Sequence, residues 1–342
     1  MKTVFPEEFR LKDWLIGPGH PCLIIAEAGV NHFGDMERAR RLVDLAAEGK
    51  ADVFKIQVYK TENFISSRSA DWVERMQAKE LPYDQVSVIK EYAESKGMMF
   101  IASAHDAESL DFLVKLGAPA IKIGSGEKQN FPYFKKAGSY GLPVFLSTGM
   151  STLEEVTHAS QALADGGCKA LAILHCVTLY PTEPAEVNLL AMDSIRDSFK
   201  VPTGYSDHTI GEEACWAAVA RGANVIEKHI ALEAHFPNTW DPIVSCTPQT
   251  LLHFTEGIRR IEKMLGSKNK RPTERELQSV IWATKSMVAA GLLKKGEVLS
   301  EIMIAYKRPG NGLPPTRLTE ILGKRLKRNV KADEIIYLND LE

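Results

Sequence analysis

Between residues 22 and 230 the chain repeats one pattern eight times: a short apolar, β-rich run, then a longer stretch of helical character. The runs are Cys22 to Ala26, Val53 to Ile56, Met99 to Ala102, Ala120 to Ile123, Val144 to Leu146, Leu171 to Leu174, Pro202 to Tyr205, and Val225 to Ile226 with its tail. Between them Met36 to Glu48, Tyr83 to Lys96, Ala107 to Leu116, Leu153 to Ala164 and Glu212 to Arg221 are stretches of helical character. Eight strand–helix repeats predict an α/β fold of the (β/α)8, or TIM, barrel type. The competing architecture, an open doubly wound sheet for a dinucleotide, requires a glycine fingerprint after its first strand. Here that strand runs into Ala26-Glu27-Ala28-Gly29-Val30-Asn31-His32, which has no such fingerprint.

A chain of 342 residues is longer than one core usually serves, so the barrel is expected to fill residues 1–266 and leave a remainder. After a last helix over Thr250 to Leu265, the polar Gly266 to Pro272 opens a linker, 267–283. Residues 284–342 alternate short β-like runs with turns at Lys295-Gly296-Glu297 and Pro309-Gly310-Asn311-Gly312, and carry more Lys and Arg than Asp and Glu. That segment reads as a small, basic, mostly-β domain.

The net charge of -2 gives no whole-chain attraction to nucleic acid or membrane, so neither is expected as a partner. No apolar run approaches the ~20 residues of a membrane span, and Met1 to Glu8 lacks the apolar core of a signal peptide. Five cysteines, an odd number with no close pairs, argue against a disulfide framework and fit a reducing, cytoplasmic setting.

The active site of such a barrel lies at the C-terminal ends of its strands. Nearly every run here ends in polar residues: Glu27; Lys55 and Gln57; Ser103; Lys122 with Ser125 and Glu127; Ser147 and Thr148; His175; Ser206 and His208; Glu227 and His229. Strand alternation sends Lys55 and Gln57 to one side, and Glu227 and His229 likewise. Two lysines from two strands, beside the small residues of Gly124-Ser125-Gly126, are what an anionic ligand requires. His208 and His229 end neighbouring strands. They suit a divalent ion, but serve equally as an acid/base pair or as structural groups, and spacing does not choose. His32, His105 and His175 are further candidates.

The segments Ile25 to His32, Phe54 to Gln57, Lys122 to Glu127, Leu146 to Met150, Gly204 to Thr209, Val225 to His229 and Lys307 to Gly312 together resemble the sialic acid synthase family, which includes legionaminate and pseudaminate synthases and spore coat polysaccharide biosynthesis protein E. The resemblance implies a barrel followed by an antifreeze-like (SAF, β-clip) domain in a domain-swapped homodimer. The implied reaction condenses phosphoenolpyruvate with an N-acetylated amino sugar and water to a nonulosonic acid and phosphate. It further implies Mn²⁺ or Mg²⁺ on His208 and His229. Phosphoenolpyruvate would lie on Lys55, Ser103, Lys122, Ser125, Ser147 and Ser206. Glu27, Gln57, Tyr180 and Asp241 would address the sugar or the ion, with Glu27, Gln57 and the two histidines catalytic. Arg308 would reach the sugar's N-acyl group from the partner subunit.

The sequence departs from the family pattern at Phe33, usually asparagine, at Ala102 to Asp106, where Ser-Thr-Pro-Phe-Asp is common, at Thr178, and across His235 to Asp241. Most of these positions belong to loops expected to touch the sugar, so N-acetylmannosamine and a 2,4-diacetamido analogue both stand as substrates. The rival readings are a synthase for another phosphoenolpyruvate-dependent sugar acid and a non-catalytic carbohydrate-binding relative.

Overall fold

The structure, a computed structural model, describes residues 4–236 and 239–342. The first three residues of the expected non-signal N-terminus, and Pro237 and Asn238 in the divergent His235 to Asp241 stretch, lie outside them. The chain divides into two compact units, Met1–Gly266 and Ser267–Glu342.

The first unit opens with a hairpin of β1 (Phe9–Leu11) and β2 (Trp14–Ile16). Eight parallel strands then close a barrel: β3 (Leu23–Gly29), β4 (Val53–Val58), β5 (Met99–Ala104), β6 (Ile121–Ile123), β7 (Val144–Ser147), β8 (Leu171–Cys176), β9 (Thr203–Asp207) and β10 (Val225–His229). They pair in sequence order, with β10 returning to β3. The helices between and after them are α1 (Met36–Glu48), α2 (Thr61–Phe64), α3 (Ala70–Gln77), α4 (Tyr83–Ser95), α5 (Ala107–Lys115), α6 (Phe131–Ser139), α7 (Leu153–Gly166), α8 (Leu190–Phe199), α9 (Glu213–Ala220) and α10 (Leu251–Leu265). Local chemistry sets several ends. Asp35 caps α1 by accepting from the N–H groups of Glu37 and Arg38, and Thr152 with Glu155 forms a capping box on α7.

Alternation along each strand separates two cores. Outward residues such as Ile24, Phe54, Phe100 and Ile226 pack against the helices. Inward residues Leu23, Ile25, Val53, Ile101, Phe145, Leu174 and Val225 fill the barrel's lower half and meet Phe9, Leu11 and Ile16 of the hairpin, which closes the bottom. Strands of three residues carry too little pattern to announce themselves, and the hairpin is absent from the sequence reading for that reason.

In the second unit the expected linker contains two single-turn helices, α11 (Glu274–Leu277) and α12 (Val280–Ala283). Thr273 and Glu276 form a capping box that starts α11 in this otherwise polar stretch. The remainder is loop-rich. An antiparallel pair, β11 (Ser286–Ala289) and β12 (Ile304–Lys307), and several isolated bridges surround a core of Met287, Leu293, Ile321, Leu326 and Ile336.

Candidate active site

At the height where the apolar layer ends, every barrel strand changes its inward chemistry. Above Ile25 stands Glu27, above Val53 Lys55, above Ile101 Ser103, above Phe145 Ser147, above Leu174 Cys176 and above Val225 Glu227. With Gln57, Lys122, Ser125, Thr178, Tyr180, Ser206, His208 and His229 these residues line one cavity of about 140 Å³.

Its floor is a network of buried charge. Lys55 Nζ lies 2.7 Å from Glu27 Oε2 and 3.5 Å from Glu227 Oε1, and Lys122 Nζ lies 3.2 Å from the same Glu227 oxygen. Gln57 Nε2 donates to Glu27 Oε1 (3.3 Å), and Ser206 Oγ donates to Glu227 Oε1 (3.2 Å). Burial alone would depress both lysines. In Lys55 the carboxylates of Glu227 and Glu27 reverse that and raise its pKa, whereas in Lys122 burial prevails and lowers it. Burial works against the charged form of Glu227 too, but Lys122 and Lys55 hold its carboxyl well below the usual range. Two lysines and two carboxylates thus face one another, each being costly to bury alone.

The two histidines meet as their strand positions predict, with ring centroids 5.4 Å apart. Burial lowers the pKa of each, and that of His229 to about 4. The neutral His208 ring lies with Nδ1 2.6 Å from the Val177 carbonyl oxygen, which can only accept. Nδ1 therefore carries the hydrogen, and Nε2 turns its lone pair to the cavity, where the Tyr180 hydroxyl donates to it at 2.8 Å. This is the arrangement that orients a metal-binding imidazole. His229 Nδ1 is buried and has no hydrogen-bond partner among the described residues. Gly29, at φ 55°, takes the left-handed conformation that favours glycine where β3 ends beside that ring. Among the described residues no group of three His, Cys, Asp or Glu forms a ready metal cluster. The two imidazoles nevertheless fit a divalent ion that takes its other ligands from oxygen.

Ser125 sits in the turn after β6, where its Oγ accepts from Gly149 N (2.9 Å), a close approach that needs glycine at 149. Ser147 Oγ, Thr178 Oγ1, Glu227 Oε2 and His105 Nε2 join His229 Nδ1 as buried atoms of cavity residues without a hydrogen-bond partner among the described residues. Such atoms are rare in a folded interior, and five around one cavity mark a place built for a ligand.

The predicted residues do not all converge. Glu27, Lys55, Gln57, Ser103, Lys122, Ser125, Ser147, Tyr180, Ser206, His208 and His229 line the cavity. Asp241 lies above it on a turn, close enough for its charge to raise the pKa of His229 against the effect of burial. Arg308 is exposed in the second unit, just past β12. Of the further histidines only His105 reaches the cavity. His175 points outward, donating from Nε2 to the Val187 carbonyl, and Cys176 takes the inward place. His32 lies buried in the loop beyond β3, where Gly34 N donates to its Nδ1. Phe33 stacks on Phe236 (4.1 Å between centroids) beneath the Arg38 guanidinium, so two divergent loops form one aromatic shelf. The sequence reading assigned Glu227 no role. Its alternation with His229 was the signal that placed it inward.

Comparison with known proteins agrees with this layout in both units. The NeuB family model matches residues 42–270 and the SAF domain model matches residues 284–342. The chain is 39% identical to N,N'-diacetyllegionaminic acid synthase of Campylobacter jejuni over 92% of this chain and 98% of that protein. It is 33% identical to human N-acetylneuraminate-9-phosphate synthase over 94% and 93%. Among solved structures, the N-acetylneuraminic acid synthetase of Leptospira borgpetersenii in complex with citrate superposes with a TM-score of 0.75 at 32% identity, covering 80% of this chain and 95% of that one.

Proposed function

Because the chain belongs to the NeuB family, we propose that it condenses phosphoenolpyruvate with an N-acetylated amino sugar and water, releasing a nonulosonic acid and phosphate for glycan synthesis. The observation that carries this for the chain's own residues is the pair of buried lysines beneath a cavity lined with unpartnered polar atoms.

Phosphoenolpyruvate carries a carboxylate and a phosphate, and Lys55 and Lys122, on separate strands, take one anionic group each. Ser103, Ser125, Ser147 and Ser206 supply hydroxyls around them. The sugar lies above, toward Gln57, Tyr180 and Asp241, with its open-chain aldehyde near Glu27. A carbon–carbon bond then forms between C3 of the enol and the aldehyde carbon. The aldehyde oxygen takes the carbonyl electron pair and then a proton, and C2 becomes electron-poor. Water adds there, phosphate leaves, and a 2-keto acid remains. Glu27, held by Gln57 and Lys55, orients the sugar and is placed to take a proton from that water.

His208 and His229 would hold Mn²⁺ or Mg²⁺, which when bound stabilises negative charge on the aldehyde oxygen. The charge balance favours such an ion. Lys55 and Lys122 are already offset by Glu27 and Glu227, so an anionic substrate needs further positive charge. Exposed apolar residues in the segments that follow five of the strands, Trp72, Met150, Leu179, Ile210 and Trp240, suit a partner subunit in a homodimer. Arg308 would be the partner's contact with the N-acyl group. Five buried, unpaired cysteines suit a cytoplasmic protein, and no described helix is long and apolar enough to cross a membrane.

The test is phosphate release from phosphoenolpyruvate with Mn²⁺ and a panel comprising N-acetylmannosamine and 2,4-diacetamido sugars. Release is expected with at least one sugar, abolished by chelation and by His229→Ala in a protein that stays folded. No release with any sugar would favour a carbohydrate-binding role, and undiminished release after chelation would remove the metal.

A further inference from the structure

His105 lines the cavity but has no part in the chemistry above. It follows β5 by one residue, and its backbone N–H donates to Val58 O at 3.1 Å. Its ring stacks on Phe64, with centroids 4.7 Å apart and planes at 23°. Nδ1 stands 4.0 Å from Glu127 Oε1, while Nε2 is buried with no partner among the described residues. Ser103, Lys122, Gly124 and Ser125 line the same cavity.

A phenyl ring would serve the stacking as well, because the contact with Phe64 needs an aromatic face and not a nitrogen. A buried ring nitrogen left unpaired is costly. The nitrogen is therefore the feature that calls for a ligand, and its neighbours are the lysine and serines of the anion site. Resting on the reading of this cavity as the phosphoenolpyruvate site, we infer that His105 donates a hydrogen bond from Nε2 to the phosphate of the bound substrate.

The charged and titratable groups around the ring are Lys55 on β4, Lys122 on β6, Asp106 next in the chain, and Glu127 in the turn after β6. Tyr59 and Phe64 pack on the ring itself. Burial, Lys55 and Lys122 push the ring's pKa down to about 4, and burial raises the Glu127 carboxyl. The neutral ring carries one hydrogen on either nitrogen, and an anionic phosphate oxygen, which accepts, selects the form with the hydrogen on the unpartnered Nε2.

Calorimetric titration of the full chain with Mn²⁺ present tests this with three ligands: phosphoenolpyruvate, inorganic phosphate and pyruvate. His105→Phe keeps the ring and should weaken phosphoenolpyruvate and phosphate by about tenfold or more, as loss of one hydrogen bond to a charged group does, while leaving pyruvate within twofold. His105→Gln, which retains an N–H donor, should recover most of that loss, and His105→Leu, which has no donor, takes the place of His105→Phe should that protein fail to fold. Phosphoenolpyruvate affinity within twofold of the parent in both variants would overturn the inference, as would equal weakening of pyruvate. If the unaltered chain binds no phosphoenolpyruvate, the reading of the cavity fails first and the inference with it.

Discussion

Burial holds three imidazoles, His32, His105 and His229, at about 4, where a free histidine would titrate near 6.5. A group whose folded pKa is depressed contributes stability that is complete above its unfolded value and is lost as the pH falls toward the folded one. The metal-free protein should therefore lose stability between about pH 6.5 and 4, by up to ~1.4 kcal/mol per pH unit for each group. Urea midpoints at pH 7, 6 and 5 measure it, and a flat profile would show these rings to be solvated. Glu227 extends the same trend to lower pH, since its carboxyl is also held below the usual range. At this scale the sequence was legible where alternation was unbroken: Lys55 with Gln57, and Glu227 with His229, share a face as expected. It misled at His175, where polarity drew notice although the inward series Ala172, Leu174, Cys176 turns histidine away from the cavity. Hydrogen bonds between distant segments, such as Gly149 to Ser125, had no local trace.

Behind β9 and β10 a second buried ion pair ties together the ends of the strands that carry the two histidines. Lys228 Nζ lies 2.6 Å from Asp207 Oδ2 and donates to Thr209 O, while Asp207 also accepts from Tyr205 and Thr209. Lys228→Met would strand the carboxylate in the interior, and a loss of about 3–5 kcal/mol is expected. Chemical denaturation would register it, and a loss under 1 kcal/mol would mean that water reaches Asp207. The eight strands could be read as short apolar runs because both their faces are buried, and α1, α4, α5, α7, α9 and α10 as the longer stretches between and after them. The hairpin, α2, α3, α6 and α8 are absent from that reading, and of these the hairpin, α2 and α3 are too short or too exposed to leave a repeat.

The whole molecule couples a barrel that contains the entire cavity to a second unit carrying Arg308. Under the proposed function Arg308→Ala should raise KM for the amino sugar at least tenfold and leave KM for phosphoenolpyruvate within twofold, in steady-state assays that vary each substrate. Equal changes in both would remove Arg308 from sugar recognition. The division at Gly266 followed from composition, whereas no pattern in one sequence reports how subunits assemble.

The hairpin beneath the barrel has a consequence for traffic. Phe9, Leu11 and Ile16 seal the lower end together with Phe145 and Ile25, so the cavity is a shaft with one door. Molecules entering a shaft queue. Under the proposed function the substrate that settles on the lysines would arrive before the sugar above it, and whatever remains at the bottom would depart only after the upper occupant has gone.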